Sequence, residues 1–190
     1  MLSVVIPTED AEVPVVATLA ALVPGAAAGV IREVLLVDRS GSDAIAHVAD
    51  EAGCQYIRVA GTRAQALAAG AKRARGPWLM FLHPGAVLES GWIEETTRFV
   101  QTIGASGRPR AAVFRYAPSP YSEARLRDTL RLVTRRLLGP GADQGLLIGR
   151  DHYERLGGYR ADTHRSEARL LRQLGRTARI TLQSSIIVVP

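Results

Sequence analysis

The first half of the chain alternates short apolar runs with longer segments in which apolar residues recur at helical spacing. The apolar runs predict four strands, at residues 2–6, 33–37, 54–59 and 78–82. Units of strand, helix and strand that repeat every ~25–30 residues favour right-handed crossovers and parallel pairing. The pattern therefore predicts an α/β domain whose mainly parallel, Rossmann-like sheet carries helices on both faces.

Three predicted helices connect these strands. Asp10 can cap the first helix, which is expected to end before Pro24-Gly25. The apolar spacing predicts the buried face of this helix as Val13, Val16, Ala20 and Val23. The second helix is predicted around residues 45–52 and the third over residues 63–75.

The second half of the chain is less regular. The apolar pattern predicts helices at residues 91–103, 121–138, 151–156 and 166–174, and strands at residues 111–116, 146–148, 178–182 and 185–189. No linker or internal repeat divides the sequence. Residues 1–190 are therefore interpreted as one domain.

Composition narrows the function classes. The chain has 190 residues, 47% hydrophobic and 22% charged, as is typical of a globular protein. A single cysteine, Cys54, excludes a disulfide framework and indicates a reducing compartment. No basic region precedes the first apolar run, and no strongly apolar stretch of about 20 residues follows. These features predict a cytoplasmic protein.

Charge is distributed unevenly along the chain. Residues 1–95 carry 7 basic and 11 acidic side chains, whereas residues 96–190 carry 17 and 7. This asymmetry indicates an anionic partner for the second half, such as phosphate or lipid headgroups. Nucleic acid is not expected, because aromatic residues make up only 5% of the chain and no recognition motif accompanies the charge.

The basic helix predicted at residues 121–138 carries Arg127, Arg131 and Arg135 as one stripe. Arginine guanidinium groups suit diphosphate or lipid phosphate, so the stripe predicts contact with a lipid-linked acceptor or with the inner membrane surface. The alternative is a solvated arginine face.

Polar residues follow three of the predicted strands at their carboxyl ends: Thr8, Asp38 and His83. Ligands of open parallel sheets bind at this edge. The Asp38 carboxylate can accept a hydrogen bond from a base or ribose held over the strand ends; alternatively, it fixes its own turn. A nucleotide site here requires a cleft beside an accessible Asp38 carboxylate.

Four motifs in this order resemble family 2 glycosyltransferases of the GT-A fold. They are V-V-I-P-T at residues 4–8, L-V-D-R-S-G-S-D at 36–43, the helix at 63–76 followed by W-L-M-F-L-H, and G-A-D-Q-G at 141–145 followed by R-D-H-Y-E-R-L-G-G-Y. Within the family, the chain resembles a small bacterial branch whose fourth strand ends in F-L-H-A-D. The resemblance covers most of the chain and implies a nucleotide-sugar donor.

The resemblance assigns nucleotide binding to the ends of the first two strands. Pro7, Thr8 and Asp38 match the positions that hold the base, and Arg63 matches a basic residue suited to the nucleotide or its phosphates. Asp10 stands where the family usually has asparagine, so base recognition is only partly retained.

The metal-binding motif of the family is not retained. Family members bind Mn²⁺ or Mg²⁺ through acidic residues after the fourth strand, which neutralises the diphosphate leaving group. Gly85 occupies the position of the metal-binding aspartate, and His83 alone is a weak site for such a hard cation. His83 is instead expected at the pocket rim, near the diphosphate or the acceptor.

The general base also departs from the family pattern. An inverting transferase needs a base within reach of the acceptor hydroxyl. The family's Glu-Asp pair falls here on Thr163-His164, so His164 is one candidate base, and Glu167, about one helical turn further on, is the second. Glu167 is expected to lack an ion-pair partner, since the positions three and four ahead hold leucines. The alternative for Glu167 is a structural acid in a first helical turn, where the helix dipole favours a negative charge.

The G-A-D-Q-G loop is better preserved. The resemblance places it beside the acceptor, where Asp143 and Gln144 offer hydrogen-bonding groups to sugar hydroxyls or phosphate. The alternative is an ordinary glycine-rich turn before a strand.

Two function hypotheses follow. The first is transfer of a sugar to an unidentified acceptor, with arginines or His83 carrying the leaving-group charge. The second is a catalytically inactive GT-A domain that binds a nucleotide, a sugar or a protein partner. The transferase is the main hypothesis, and the loss of both the metal aspartate and the Glu-Asp pair is the argument for the second.

Overall fold

The computed structural model describes residues 1–9, 12–118, 144–160, 166–175 and 177–189. Its strands are β1 (Leu2–Thr8), β2 (Ile31–Asp38), β3 (Gln55–Arg58), β4 (Trp78–Phe81), β5 (Ala86–Leu88), β6 (Ala111–Tyr116), β7 (Leu146–Gly149) and β8 (Arg179–Val188). Its helices, numbered within these ranges, are α1 (Glu12–Ala27), α2 (Asp43–Glu51), α3 (Arg63–Arg73), α4 (Trp92–Ser106), α5 (Arg150–Arg155) and α6 (Ser166–Leu174).

The described strands form one sheet in the order β3-β2-β1-β4-β7-β6-β8-β5. The first four strands are parallel, as their alternation with helices predicts. β7 runs antiparallel to both β4 and β6, and β5 runs antiparallel to β8. The predicted strands of the first half are confirmed, each end lying within two residues of the expected position.

Helices cover both faces of the sheet, as predicted. Val15 of α1, Ile45 of α2 and Phe99 of α4 belong to the core on one face. Leu67 of α3 and Leu170 of α6 belong to the core on the other. Because β1 lies between two parallel neighbours and two helical layers, its seven residues are all buried.

The predicted buried face of α1 is wrong. Val13, Val16 and Val23 are 75%, 48% and 62% exposed. The side that packs on the sheet consists of Val15, Thr18, Leu22 and Gly25. The helix carries apolar residues on nearly every side, so their spacing did not distinguish the buried face.

The predicted end of α1 is also wrong, because the helix continues through Pro24 to Ala27. Pro24 lies in the last turn, where its carbonyl accepts a hydrogen bond from Ala28 N at 3.0 Å. A proline there removes only one helical hydrogen bond and leaves the closing turn intact. Asp10, the predicted cap, lies outside the described residues.

The two closing strands predicted at residues 178–182 and 185–189 form one strand, β8. Polar residues at 183 and 184 suggested a break, but the carboxylate of Glu95 accepts hydrogen bonds from Gln183 N at 2.6 Å and Ser184 N at 2.7 Å. A side chain from α4 thus satisfies the backbone at the apparent break. β5, which has only three residues, was not predicted and pairs with β8.

Gly70 lets α3 lie close to the sheet. A Cβ at this position would overlap Val5 of β1 and lie 3.0 Å from Val37 Cγ2 of β2. Both valines are fully buried, so neither has room to move aside. The approach of α3 to β1 and β2 also fixes where Arg63, the first residue of the helix, stands.

Gly70→Ala is therefore expected to destabilise the protein by about 1–3 kcal/mol, because the added methyl overpacks the core. Gly104→Ala in α4 is the matched control: a Cβ there meets nothing within 4 Å. This control should stabilise the protein by about 0.5–1 kcal/mol through helix propensity. Urea unfolding followed by circular dichroism measures both changes. A Gly70→Ala protein as stable as wild type would contradict the close approach of α3.

Candidate functional site at the carboxyl edge of the sheet

The carboxyl ends of β1, β2 and β4 meet at one edge of the sheet. Thr8 and Asp38 are the last residues of β1 and β2 and face each other in the parallel register. β4 ends at Phe81, and the chain then turns at His83, whose carbonyl accepts a hydrogen bond from Ala86 N at 3.0 Å. The three polar positions predicted from the sequence therefore lie at the same edge.

Asp38 is fully buried, and its carboxylate is occupied by the protein itself. Oδ1 accepts hydrogen bonds from Ser40 Oγ at 2.8 Å, Ser40 N at 3.2 Å and Thr8 Oγ1 at 3.3 Å. Oδ2 accepts from Ser42 N at 2.9 Å and from the Tyr56 hydroxyl at 3.0 Å. Both carboxylate oxygens therefore accept hydrogen bonds from donors on β1, in the turn after β2 and on β3.

The expected accessible carboxylate at Asp38 is thus not observed. Burial alone would raise its pKa, but the hydrogen bonds from Ser40, Tyr56 and Ser42 outweigh burial and hold the pKa below its usual 3.8. Burial and the neighbouring Asp38 charge raise the pKa of Tyr56 in turn. Asp38 is therefore an ionised organiser of its own turn, which was the alternative reading of its position.

Pro7 and Thr8 likewise belong to the buried strand. Both lie within β1, and Thr8 is 1% exposed. The Thr8 hydroxyl donates to Asp38. The side chains of the first two strand ends therefore point into the protein.

Arginines supply the positive charge at this edge, and sequence analysis missed one of them. Arg39 pairs with Glu9 at 2.9 Å, and its Nε donates to Gly61 O at 2.9 Å. It thereby ties together the chain ends that follow β1, β2 and β3. Its position directly after Asp38 in D-R-S-G-S-D was the signal that could have identified it.

Arg63 and Glu167, both singled out in the sequence, form an ion pair across 104 positions of the chain. Arg63 Nε lies 3.2 Å from Glu167 Oε2, and the two side chains are only 25% and 22% exposed. The expectation that Glu167 has no ion-pair partner is wrong, because α3 and α6 begin side by side on the same face of the sheet. Sequence separation concealed this partner.

The pair closes a small recess. Arg63 and Glu167 line it together with Leu67, Phe81, Leu82, Gly145, Leu146, Tyr159 and Leu171. Its free volume is about 10 Å³, which admits about one water molecule. Tyr159 is buried beneath the pair, and burial followed by the Glu167 charge raises the pKa of its hydroxyl.

Gln144 lies beside this recess but faces the interior. It is 6% exposed, and its Nε2 donates to Phe114 O at 2.9 Å. Gly145 follows with a φ of +68°, and a Cβ there would press on Leu82 and Phe114. Gln144 and Gly145 therefore have a structural role as well. Asp143, His164 and the basic helix predicted at residues 121–138 lie outside the described residues.

The segment after β4 does not fit a divalent cation. Gly85 has a φ of +83°, and a Cβ there would overlap the Val189 carbonyl oxygen. Backbone hydrogen bonds hold Gly85 to Pro14 O and Val189 N, both at 2.9 Å. An aspartate at this position would require movement of the β8 end. In the described part of the chain, no three His, Cys, Asp or Glu residues are grouped to hold a metal ion.

The chain is similar to known proteins both in sequence, through a family model, and in fold, through solved structures. Residues 3–138 match the family model described as "Glycosyl transferase family 2". The search of curated protein sequences returned no significant match. No helix in the described ranges has the length and apolar character needed to cross a bilayer.

Solved structures share the fold at low sequence identity. Residues 1–349 of TarS from S. aureus superpose with a TM-score of 0.72 at 12% identity, over 99% of this chain and 60% of that chain. Glucosyl-3-phosphoglycerate synthase from Mycobacterium tuberculosis, in complex with Mn²⁺, UDP and glucosyl-3-phosphoglycerate, gives 0.65 at 17%, over 100% and 72%. A mannosyltransferase from Pyrobaculum calidifontis, in complex with GDP-Man and Mn²⁺, gives 0.68 at 16%, over 100% and 57%.

These neighbours are GT-A glycosyltransferases, so the predicted GT-A architecture is confirmed. The chain spans about three fifths of the length of the TarS fragment.

Asp38→Asn is expected to destabilise the protein by about 1–3 kcal/mol at pH 7, because the amide loses charge-assisted hydrogen bonds from buried donors. Since the folded pKa of Asp38 lies below 3.8, its carboxylate contributes stability above that value. That contribution is lost as pH falls through the folded pKa.

The difference between wild type and Asp38→Asn in urea unfolding should therefore narrow below about pH 3.8. Asp50→Asn, an exposed position on α2, is the control and should have little effect. Equal unfolding free energies for Asp38→Asn and wild type at pH 7 would contradict the role of Asp38 in the turn.

Proposed function

The chain belongs to glycosyl transferase family 2, and on that premise we propose that it transfers a sugar from a nucleotide-sugar donor to an acceptor hydroxyl. The observation that carries the proposal is the family match, since residues 3–138 include β1 to β4 and the chain segments that form their carboxyl edge. The M. tuberculosis and P. calidifontis proteins hold UDP and GDP-Man, so a nucleoside diphosphate sugar is the proposed donor class.

The nucleotide would lie over the carboxyl ends of β1 and β2, beside Pro7, Thr8 and Asp10. Asp38 would act as a positioning residue, since its carboxylate fixes the turn that includes Ser40 and Ser42. The exposed groups of that turn, rather than the Asp38 oxygens, would then contact the base or ribose. This role modifies the direct contact inferred from the resemblance.

Arg39 and Arg63 would bind the diphosphate. Their guanidinium groups can donate two parallel hydrogen bonds to phosphate oxygens. Each is paired with a carboxylate in this structure, Arg39 with Glu9 and Arg63 with Glu167. Donor binding would exchange the Glu167 carboxylate for phosphate at Arg63, and a carboxylate that loses a neighbouring cation becomes a better proton acceptor.

In the proposed reaction, the acceptor hydroxyl oxygen forms a bond to the anomeric carbon of the sugar. The bond from that carbon to the diphosphate oxygen breaks, and its electron pair leaves with the diphosphate. The hydroxyl proton passes to Glu167 or to His164. Arg39 and Arg63 stabilise the charge that develops on the leaving group, a role positive side chains can fill at a preorganised site.

The acceptor would approach from the side of His83 and the G-A-D-Q-G loop, with Asp143 as the polar group available to its hydroxyls. The backbone at Gly145, where a side chain would press on Leu82 and Phe114, allows the chain to pass close to the recess. A lipid-linked acceptor held by the segment at residues 121–138, at the inner membrane surface, remains part of this proposal.

A second candidate function is binding of the donor without transfer. The geometry of Gly85 favours it, because the segment that bears the family's metal-binding aspartate is locked against the end of β8. The two candidates differ in turnover and not in binding, so one set of variants distinguishes them.

Donor binding is tested by thermal unfolding with a panel of uridine and guanosine diphosphate sugars, with and without Mn²⁺. At least one donor should raise the Tm, and Mn²⁺ should add little. Arg63→Gln should weaken the stabilising donor about tenfold, because it loses a charge-assisted contact. Arg32→Gln, an exposed arginine at the other end of β2, is the charge-matched control. Absence of a Tm shift with every donor would overturn both candidate functions.

Turnover is tested by release of the nucleoside diphosphate from the stabilising donor, with water taking the sugar in place of the unidentified acceptor hydroxyl. Glu167→Gln should leave donor affinity within about threefold of wild type and lower kcat by about 10²–10⁴, the usual contribution of a general base. If wild type binds a donor but Glu167→Gln lowers release no further than Arg32→Gln does, Glu167 is not the base. Binding with no release at all by wild type would support the binding function instead.

A further inference from the structure

We propose that a second site, at the opposite edge of the sheet from the candidate donor site, binds a small phosphorylated anion. The site is an open cleft of about 360 Å³. The basic cleft, as we call it, is lined by Pro77, Trp78, Ile103, Gly107, Arg108, Pro109, Arg110, Gly149, Arg150, Asp151, His152 and Arg155. The resemblance assigns no role to these residues, although two of its motifs include Trp78 and residues 150–155, and none of them belongs to the donor site.

Strand direction places the basic cleft away from the donor site. Trp78 is the first residue of β4, whose other end leads to His83. Gly149 is the last residue of antiparallel β7 and pairs with Trp78, while Ala111 opens β6 beside Ile148. The connections into β4, into β6 and out of β7 therefore meet at the amino edge of β4, one strand length from the recess under Arg63.

The lining is strongly basic. Four arginines and one aspartate give the basic cleft a formal charge of +3 with His152 neutral. Arg108 and Arg155 are exposed and Arg110 is half-buried. The ion pairs found in the described part of the chain involve Arg39, Arg63 and Arg75, and none involves these three. Several like charges in one concavity repel each other and attract a multivalent anion.

Arg150 makes one wall of the basic cleft rigid. Its guanidinium donates to the carbonyls of Ala71 at 3.0 Å, of Gly76 at 2.9 Å and of Ala74. These are the last carbonyls of α3 and of the turn after it, where a cation is favourable. Arg150 thus spends four of its five N–H donors on backbone carbonyls and adds its charge to the basic cleft, while Arg108, Arg110 and Arg155 have donors to offer.

His152 adds a buried ring nitrogen without a hydrogen-bond partner among the described residues. Burial and the Arg155 charge lower its pKa and outweigh a hydrogen bond to the Arg110 backbone, so the ring is neutral at pH 7. The nitrogen without a partner is Nδ1. In a neutral imidazole a ring nitrogen is either a donor or an acceptor. A phosphate oxygen on the ligand would satisfy the donor form and a hydroxyl the acceptor form.

The shape of the basic cleft favours a small ligand over a flat charged surface. A volume of about 360 Å³ lies within the range of small-molecule pockets. Trp78 contributes a half-buried aromatic ring, held edge-on to Phe99 with ring centroids 5.7 Å apart. A concave wall of arginines, an aromatic ring and one polar ring nitrogen without a partner suit a phosphorylated molecule with polar groups beyond its phosphate.

Binding is tested on the full chain with sodium pyrophosphate as the probe, at constant ionic strength. The chain has two tryptophans, so its spectrum contains two indole N–H signals. Trp78 lines the basic cleft, whereas Trp92 is 3% exposed in the core. In ¹⁵N–¹H spectra, the Trp78 signal should shift saturably with pyrophosphate while the Trp92 signal stays in place. A Trp92→Phe spectrum assigns the two. No saturable shift at Trp78 would overturn the proposal.

Charge variants of opposite sign give the sharper test. Arg108→Gln/Arg155→Gln should weaken the pyrophosphate Kd read at Trp78 about tenfold. Asp151→Asn removes the one carboxylate of the lining and should tighten it about two- to threefold. Arg32→Gln/Arg172→Gln, two exposed arginines elsewhere, is the charge-matched control. If the control weakens binding as much as the cleft variant, the effect is net charge alone and the proposal fails. A gain in affinity for Asp151→Asn is a result that structural damage does not produce.

Vesicle binding distinguishes a lipid headgroup from a small phosphorylated ligand as the source of the phosphate. Sedimentation with phosphatidylcholine vesicles containing 30 mol% phosphatidylglycerol tests a lipid headgroup, and pure phosphatidylcholine vesicles are the control. We expect no binding that depends on Arg108 and Arg155. Vesicle binding that these two arginines require and that pyrophosphate does not compete would overturn the small-ligand assignment and identify the basic cleft as a membrane contact.

Discussion

The complete burial of β1 constrains the rest of the structure. Its seven residues are buried between β2, β4 and helices on both faces. A strand in this position has no surface along its length, so polar chemistry has to be placed beyond its ends. The crossover connections then bring α3 and the turn after β2 to the same edge. Gly70, where only a hydrogen fits against Val5, sets how closely α3 lies to the sheet.

The two edges of the sheet differ in whether their arginines are paired with carboxylates. At the carboxyl edge, Arg39 and Arg63 are each paired with a glutamate. The ionised Asp38 carboxylate accepts hydrogen bonds from hydroxyls and backbone N–H groups. The basic cleft at the amino edge keeps a net positive lining without ion-pair partners in the described ranges. At the carboxyl edge, an anionic ligand can replace the glutamate in one of these ion pairs. In the basic cleft, an anionic ligand would instead balance arginine charges that no carboxylate pairs with in the described ranges.

The segment after β4 leaves no room for the acidic residue that the family pattern has at position 85. Gly85 adopts a left-handed conformation and is hydrogen-bonded to both Pro14 and Val189, so the backbone there belongs to the core scaffold. A carboxylate cannot be introduced without moving β8. If a diphosphate leaves at this edge, arginines are the groups available to stabilise it, and they lie directly after β2 and at the start of α3 rather than after β4.

The sequence by itself determined the elements and their order. Period and composition located β1 to β4, β6 and α6, because a strand buried on both faces and a one-sided helix each leave a distinct apolar pattern. The same pattern did not choose the buried face of α1, which is apolar on nearly every side, or reveal that Glu95 joins two predicted strands into β8. In the site, the strand-end positions of Thr8 and Asp38 followed from the sequence.

Only the tertiary structure showed that the Asp38 carboxylate is occupied by hydrogen bonds that include those of its own turn. It also showed that Arg63 forms an ion pair with Glu167, 104 positions away in the chain. Local periodicity reports which residues are apolar and how they repeat along one element. The partner of a charged side chain depends on where separate elements are packed, and that information lies in contacts between distant parts of the chain.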